Sequence, residues 1–567
     1  MTTYVMFNNN IGADIFYNLA SGDIFLQTAS SSFVSWMTVF ETGIYATGQG
    51  VSVSVNGLMN VGHIDLLGGD QVIIGATATV MMTAAYGFHL TGDLGAAVTT
   101  LDNQGSIYSA NTPLSAALTV QLDSPTAFGM GLGARLNNKG LISSSGTGVA
   151  INEASNGAEA SAILVNSGEI IGRQAVTLSG AADRIVNHGQ MTGSHDAVIF
   201  GKTNQTYDFA PHILNTGTIT FARVDTGNPA AAAIALERGQ SLMSSAEIVN
   251  SGRIDGQGKA IYLDLDSASV TNTGTILGDI LSLGGAVTIS NHAGKIQGNI
   301  TTGAGSDTLT NAATLVGSVD LGAGSDIMDL RGGRILGIQT ITGGDDSDTY
   351  YVSSGSTPIT ENASDPGIDQ VFAESSFRLR NGLENLTLLE GADFNGFGNN
   401  LNNTITGNNG ENRLFGAIGN DQLIASAGDD SLEGNSGNDT LSGGNGDDIL
   451  NGGTGTDQLT GGADGDIFRF RRVNEMSKVN PDLITDFLQV EDRIDLSALD
   501  ANRVNSLSDD AFLFIGTAAF SNVAGQLRYE IVSGTTSLHM DLNGDSVIDY
   551  TIRATGSIAF TASDFLL

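Results

Sequence analysis

From Gly398 onward a carboxylate or amide side chain returns at every ninth residue, followed two places later by an apolar one. Set out in nines, the chain reads GNNLNNTIT, GNNGENRLF, GAIGNDQLI, ASAGDDSLE, GNSGNDTLS, GGNGDDILN, GGTGTDQLT and GGADGDIFR. The sixth place runs Asn403, Asn412, Asp421, Asp430, Asp439, Asp448, Asp457 and Asp466. The eighth runs Ile405, Leu414, Leu423, Leu432, Leu441, Leu450, Leu459 and Phe468. Glycine recurs at the first, second and fourth places: Gly416 and Gly419, Gly428, Gly434 and Gly437, Gly443, Gly444 and Gly446, Gly452, Gly453 and Gly455, then Gly461 and Gly462. Without Cβ atoms, the backbone carbonyls of stacked turns can converge there. Together with an Asp from each neighbouring turn they would form a hard, all-oxygen cage of about six ligands, which suits Ca²⁺ better than a transition metal. Mg²⁺ sheds water reluctantly and is the weaker candidate.

Such a cage needs the first six residues of each unit in a turn and the last three in a short strand, with the eighth side chain pointing inward. Two units then complete a coil of 18 residues, so Asp421, Asp439 and Asp457 stack along one edge and Asp430, Asp448 and Asp466 along the other. The same-edge pairs 421/439, 439/457, 430/448 and 448/466 give four full sites. This nonapeptide is an established calcium β-helix pattern. A flexible Gly-Asp linker would have no reason to hold Asp and the apolar place in one phase. Without the ion the ranked carboxylates repel and the segment is expected to be disordered; with it, binding energy becomes folding energy. Looser copies upstream put Asp307 in GAGSDTL, Asp326 in GAGSDIM and Asp348 in GGDDSDTYYV, where calcium and ordinary Gly-Asp turn chemistry are both open.

The elements that carry these turns belong to a longer repetitive chain. In the N-terminal half, apolar-x-Asn-x-Gly-x-apolar recurs as LMNVGHI (58–64), LDNQGSI (101–107), LVNSGEI (164–170), IVNHGQM (185–191), ILNTGTI (213–219), IVNSGRI (248–254) and VTNTGTI (270–276). NNKGLI, ISNHAGKI and LTNAATL are looser copies. The shortest spacings between the central Asn residues, 19 to 22, fit three short strands with their turns, one coil of a parallel β-helix. Gly is expected to supply φ > 0 at the corner, and each Asn amide to bond the equivalent Asn one coil away. A row of β-sandwiches would need roughly 80–100 residues per domain. The expected fold is all-β. A right-handed parallel β-helix over 91–300, started or capped by 1–90, passes through a transition at 301–397 into the calcium β-roll at 398–470, and a β-rich domain follows at 471–567.

The net charge of −37, from 60 acidic and 23 basic residues, argues against nucleic acid and anionic membrane as partners. There is no Cys, hence no disulfide framework or thiolate metal site. The opening MTTYVMFNNN lacks the features of a cleaved secretory signal, and no apolar run reaches the roughly 18 residues of a membrane-spanning helix.

Taken together, the nonapeptides resemble the RTX (repeats-in-toxin) calcium-binding proteins. NGLENLTLLEGADFNGFGNNLNNTITGNNGENRLFG at 381–416 looks like that family's lead-in. LITDFLQVEDRIDLSALDA at 483–501, FIGTAAFSNVAGQLRYE at 514–530 and DLNGDSVIDYTI at 541–552 look like the C-terminal domain of serralysin-type metalloproteases. The resemblance implies export by type I secretion machinery that reads an uncleaved C-terminal signal, here Ala562 to Leu567, and an extracellular or cell-surface location. One departure matters. Serralysins need H-E-x-x-H, whereas His occurs here only at 63, 89, 188, 195, 212, 292 and 539, so zinc protease activity is not carried over. In DLNGDSVID, Asp541, Asn543, Asp545 and Asp549 match places in an EF-hand-like loop, but Ser546 and Ile552 break the pattern, leaving a polar hairpin turn as the alternative.

The β-helical half offers His195-Asp196, the group Tyr262, Asp264 and Asp266, and Lys202 with Tyr207 and Asp208 as chemistry-bearing residues. Each also reads as a turn pair or an outward strand position, so no catalytic residue is assigned. The expected role is an adhesin, matrix or surface-layer component that contacts glycans or its own copies. The alternative is a carbohydrate-active β-helix enzyme, a polysaccharide lyase or epimerase, by analogy of fold alone.

Overall fold

The computed structural model describes residues 244–567 apart from 338–339, 363–365 and 503–509; before 244 it describes the strands and some of the links between them. The described elements are β-strands and two short 3₁₀ turns. No described helix is long and apolar enough to cross a membrane. The chain divides into two compact units, one of 1–323 with 332–339 and the other of 324–331 with 340–567.

The first unit is built of parallel strands in coils. Ile163–Asn166, Glu169–Gly172 and Gln174–Leu178 form one coil, and each pairs in parallel with its counterpart in Arg184–Asn187, Gln190–Gly193 and Ala197–Lys202. The same parallel pairing joins Thr3–Met6, Ile24–Gln27, Ser52–Val55, Gln71–Ile74 and Thr100–Asn103. Alternation supplies the core: Leu164, Ile185, Ile213, Ile248 and Val270 are fully buried along one row. Trp36, the single Trp of the sequence and part of the expected start or cap at 1–90, lies outside the described residues.

The repeated Asn forms a continuous buried ladder. Nδ2 of Asn103 donates to Oδ1 of Asn138 (2.7 Å), and the bond repeats from Asn138 to Asn166, Asn187, Asn215, Asn250, Asn272, Asn291 and Asn311 at 2.7–2.8 Å. The neighbouring glycine has a different reason from the expected one. At Gly140, Gly168, Gly189, Gly217, Gly252 and Gly274 the backbone is not left-handed. A Cβ there would come within 3.0 Å of the glycine carbonyl one coil earlier. Close stacking, not φ > 0, excludes a side chain. Replacing one rung, Asn215→Ala, breaks the bonds to Asn187 and Asn250; it strands the buried Oδ1 of Asn250 and leaves Asn187 Nδ2 only its bonds to the carbonyls of Thr218 and Gly189. A loss on the order of 3 kcal/mol is expected in urea unfolding at saturating calcium.

In the second unit the nonapeptides form two parallel sheets. Gln422–Ala427, Thr440–Asn445 and Gln458–Ala463 pair in one; Arg413–Ile418, Ser431–Ser436, Ile449–Thr454 and Ile467–Arg469 pair in the other. The eighth-place side chains from Ile405 to Phe468 are wholly buried between them. All of these strands but Ile467–Arg469 span six residues rather than three, because they run on into the first three places of the next unit and leave only a short turn. Leu483–Ile484 and Arg493–Asp495 extend the two sheets by one strand each. An antiparallel group follows, Gln526–Val532, Thr535–Asp541 and Tyr550–Thr555. Phe565–Leu566 pairs with Ile494 and Asp495, and Phe565 packs against Phe514 (5.1 Å) and Phe560 (5.4 Å).

Candidate metal centre

Each sixth-place Asp immediately precedes a strand, and stacking at an interval of 18 residues puts it beside its equivalents. Oδ1 of each accepts the backbone N–H of the residue one coil earlier. On one edge Asp421, Asp439 and Asp457 receive Asn403, Asp421 and Asp439 at 2.7–2.8 Å. On the other, Asp430, Asp448 and Asp466 receive Asn412, Asp430 and Asp448 at 2.6–3.0 Å. The ladders run one rung past the nonapeptides, since Asp457 N–H donates to Asp482 (2.9 Å) and Asp466 N–H to Asp492 (3.0 Å). Sequence reasoning missed these two. Their signal was Asp-x-Ile in DLI and DRI, the order of places six to eight, at a spacing lengthened to 25 and 26 residues.

The other oxygen, Oδ2, is the informative atom. In Asp421, Asp430, Asp439, Asp448, Asp457 and Asp466 it is buried and accepts no hydrogen bond from any described residue. At Gly416, Gly434, Gly443, Gly452 and Gly461 a Cβ would overlap the Oδ2 of the same unit's Asp. At Gly416, Gly434 and Gly443 it would also approach a stacked glycine carbonyl, that of Gly434 (2.8 Å), Gly452 (2.5 Å) or Gly461 (2.7 Å). Carboxylate and carbonyl oxygens are thus gathered around space kept open by the first-place glycine. Oxygens alone cannot satisfy one another, so the arrangement fits a hard cation. The fourth unit departs from this, with Ala425 in the first place.

The three glycine places serve different ends. The first clears room for the carboxylate. The second and fourth have left-handed backbone, for example Gly444 at φ 123° and Gly446 at 124°, and Ala417, Ser426 and Asn435 adopt φ of 76–99° at the second place. Gly434→Ala is therefore expected to displace the Asp439 carboxylate and weaken calcium binding at least tenfold. Ser426→Gly should instead raise calcium-loaded stability by about 1 kcal/mol, by removing the cost of an L-residue in that conformation. Calcium titration and thermal melts of the two variants check both.

Burial is the largest influence on these acids. It pushes Asp421, Asp448 and Asp457 up to about 6 and Asp430, Asp439 and Asp466 to about 7, partly offset by the accepted N–H bonds. Asp482 rises to about 8 for the same reason. The edges differ further out. Asn402, Asn420 and Asn438 bridge successive turns on one (2.8–2.9 Å), whereas Asp393, Asp429 and Asp447 do so on the other (2.9–3.1 Å), beside a groove of about 460 Å³.

Upstream, Asp307 lies in the first unit and accepts Val287 N–H (2.6 Å). In the second unit Asp326 N–H donates to Asp348 (2.8 Å) and Asp348 N–H to Asp369 (2.9 Å), a rung the sequence did not reveal. Burial raises Asp307, and it raises Asp348 to about 8. The 541–549 loop is a hairpin turn whose acids bond their own backbone. Asp541 accepts Gly544 N–H (2.7 Å) and Ser546 N–H (2.9 Å), and Asp549 accepts Leu542 N–H (2.8 Å).

Of the β-helical candidates, His195, Asp196, Tyr207 and Asp208 lie outside the described residues. Lys202, Glu237 and Asp264 share one register row. Tyr262 is buried rather than outward, with Lys259 Nζ 5.6 Å from its ring centre. Asp266 lies past the strand end, held by Arg238 and Ser244 N–H (2.8 Å). Among the described residues no three His, Asp or Glu side chains converge in a group that could hold a metal ion, so any ion in the roll would depend on backbone carbonyls for most of its ligands.

Comparison with known proteins adds two findings. The family described as peptidase M10 serralysin C terminal matches residues 256–567. Metalloprotease AprA of Pseudomonas entomophila (strain L48) is 35% identical over 96 residues, 17% of this chain, and the chain spans only 19% of that protein's length.

Proposed function

The chain belongs to the peptidase M10 serralysin C-terminal family, and on that footing we propose that it is a secreted calcium-binding protein of the RTX type whose nonapeptide roll folds on the ion after export. The observation that carries this reading is the set of buried, unbonded Oδ2 atoms from Asp421 to Asp466, each but that of Asp430 lying where only a first-place glycine leaves room for it. Bound calcium would supply the positive charge that these oxygens lack. The protein's own contribution is to hold Oδ1 on a backbone N–H, which fixes each carboxylate and turns Oδ2 toward the stacked carbonyls. Type I export through the C-terminal segment and an extracellular location follow from the same family resemblance. AprA's protease activity does not transfer, because the His residues present cannot form H-E-x-x-H.

Calorimetric titration of the full chain with calcium is the test. At least four ions are expected to bind, and Asp439→Asn, which belongs to two same-edge Asp pairs, should lose more binding than Asp421→Asn, which has Asn403 on its other side. An absence of calcium uptake at millimolar concentration would sink the reading. For the β-helical unit the favoured role is adhesion or matrix assembly through its repetitive polar rows, by contact with glycans or other copies. Glu237 and Asp264, partners in the register of adjacent coils, support a carbohydrate-active alternative. Uronate polymers incubated with the protein would reveal a lyase by unsaturated product.

A further inference from the structure

The two edges of the nonapeptide roll differ in charge. On one, the turns at 410–412, 428–430 and 446–448 each present an exposed acid, Glu411, Asp429 and Asp447. With Asp393 they wall the groove of about 460 Å³, and Arg413 is the one cation among the described residues that line it. Oδ1 of Asp393, Asp429 and Asp447 accepts a backbone N–H one coil later (2.9–3.1 Å). Their Oδ2 atoms and the Glu411 carboxylate bond no described residue. Acids stacked at the strand spacing of about 4.8 Å repel one another, and Arg413 relieves this only in part.

The opposite edge carries neutral Asn402, Asn420 and Asn438 in the matching places. It ends in the loop 470–482, which joins Ile467–Arg469 of one sheet to Leu483–Ile484 of the other. Four of the chain's 23 basic residues fall at 469–478, so this edge is locally basic. Arg469 and Arg471 are paired, with Asp495 (2.8 Å) and Glu433 (3.1 Å). Arg472 and Lys478 are exposed and bond no described residue, and Val479 beside Lys478 is 81% exposed. The loop is nonetheless fixed. Buried Glu475 accepts Arg471 N–H (2.6 Å), Ser477 Oγ accepts Val479 N–H (3.2 Å) and Asn480 N–H (3.1 Å), and Asn480 O accepts the Thr456 hydroxyl (3.3 Å). Little further ordering is needed for it to bind.

We propose that these edges dock between copies of the chain, the loop 471–480 of one lying in the acid groove of the next, with Arg472 and Lys478 against Glu411, Asp429 and Asp447. Copies with a net charge of −37 repel one another, so association has to bring the free cations of one against acids of the other. Each copy offers both surfaces, at opposite edges. Such a contact is heterologous and leaves one edge of each partner free, so it extends into rows instead of closing into a dimer. A single loop in a groove buries less than the roughly 1,000 Å² of a durable interface, so rows form only where the protein is concentrated. The inference deepens the matrix-assembly reading and rests on a roll folded by calcium.

Sedimentation of the full-length protein in millimolar calcium is the test. The average mass is expected to rise with protein concentration, and to fall back in about 0.5 M salt, where charges are screened within a few ångströms. Arg472→Glu combined with Lys478→Glu should weaken association at least tenfold, and so should Glu411→Lys. These side chains bond no described residue, so circular dichroism in calcium should match wild type. Mixing the two variants should restore association, because the reversed loop then meets the reversed groove. Wild type that takes up calcium yet stays monomeric at every concentration overturns the proposal. So does a loop variant that associates as wild type does, or a loss in the loop variant with none in Glu411→Lys, which places the loop's partner elsewhere. If wild type takes up no calcium, the reading of the roll itself fails and this inference falls with it.

Discussion

Removing calcium from the full-length protein is expected to unfold residues 398–468 and the strands stacked on them, while the Asn-laddered coils stay folded. The two regions differ in what their ladders carry. A neutral amide both donates and accepts, so Asn166 to Asn311 bond one another without outside help. A carboxylate only accepts, so the Asp ladder uses Oδ1 on backbone N–H groups and leaves Oδ2 unsatisfied. At a hundredfold excess over Kd each bound ion stabilises by about 2.7 kcal/mol, so four sites contribute on the order of 10 kcal/mol. That matches the whole stability of an ordinary domain, roughly 5–15 kcal/mol, so the roll should not survive the loss. Hydrogen exchange followed by mass spectrometry checks this. In chelator, protection should vanish across 398–468 and persist across 163–311. Equal protection of the roll in chelator and in millimolar calcium would contradict it.

Acid should partly replace the ion, and the pH dependence should reverse between the two states. Burial lifts the roll carboxyls to about 6 or 7, above the roughly 3.9 of an unfolded Asp. The ion-free folded chain therefore binds protons that the unfolded chain releases. The resulting stability is fully present below about pH 4 and is lost as pH rises through 6 to 7. In calcium, protons compete with the ion for the same oxygens, so stability rises with pH across that window. Thermal melts of ion-stripped protein should show a higher Tm at pH 5 than at pH 8, and the calcium-loaded protein the opposite order. The same sign in both states would show that these carboxyls are not where the ion binds.

The parallel coils and the inward eighth place were legible in the sequence because both follow from period alone. A residue that returns at a fixed interval in a stacked fold must meet its own copies, and Asn187 and Asp439 do so. Other features were legible only in part. The glycine of Asn-x-Gly was expected to relieve backbone strain, but Gly217 is excluded from bearing a side chain by the carbonyl of Gly189. Composition cannot separate those two reasons, since both select glycine. Asp369, Asp482 and Asp492 escaped notice because insertions break the interval, while hydrogen bonding between stacked turns does not depend on how many residues lie in between.

By itself, then, the sequence determined that its repeats form parallel coils, and that one stretch gathers acids at a spacing suited to calcium. Those are properties of periodicity, which a linear string records completely. Only the tertiary structure decided which oxygen of each Asp is held by the backbone and which is left over. It alone extended the ladders beyond the repeats and brought Glu361 to Tyr350. Such contacts depend on where the chain returns in space, and no interval in the sequence states that.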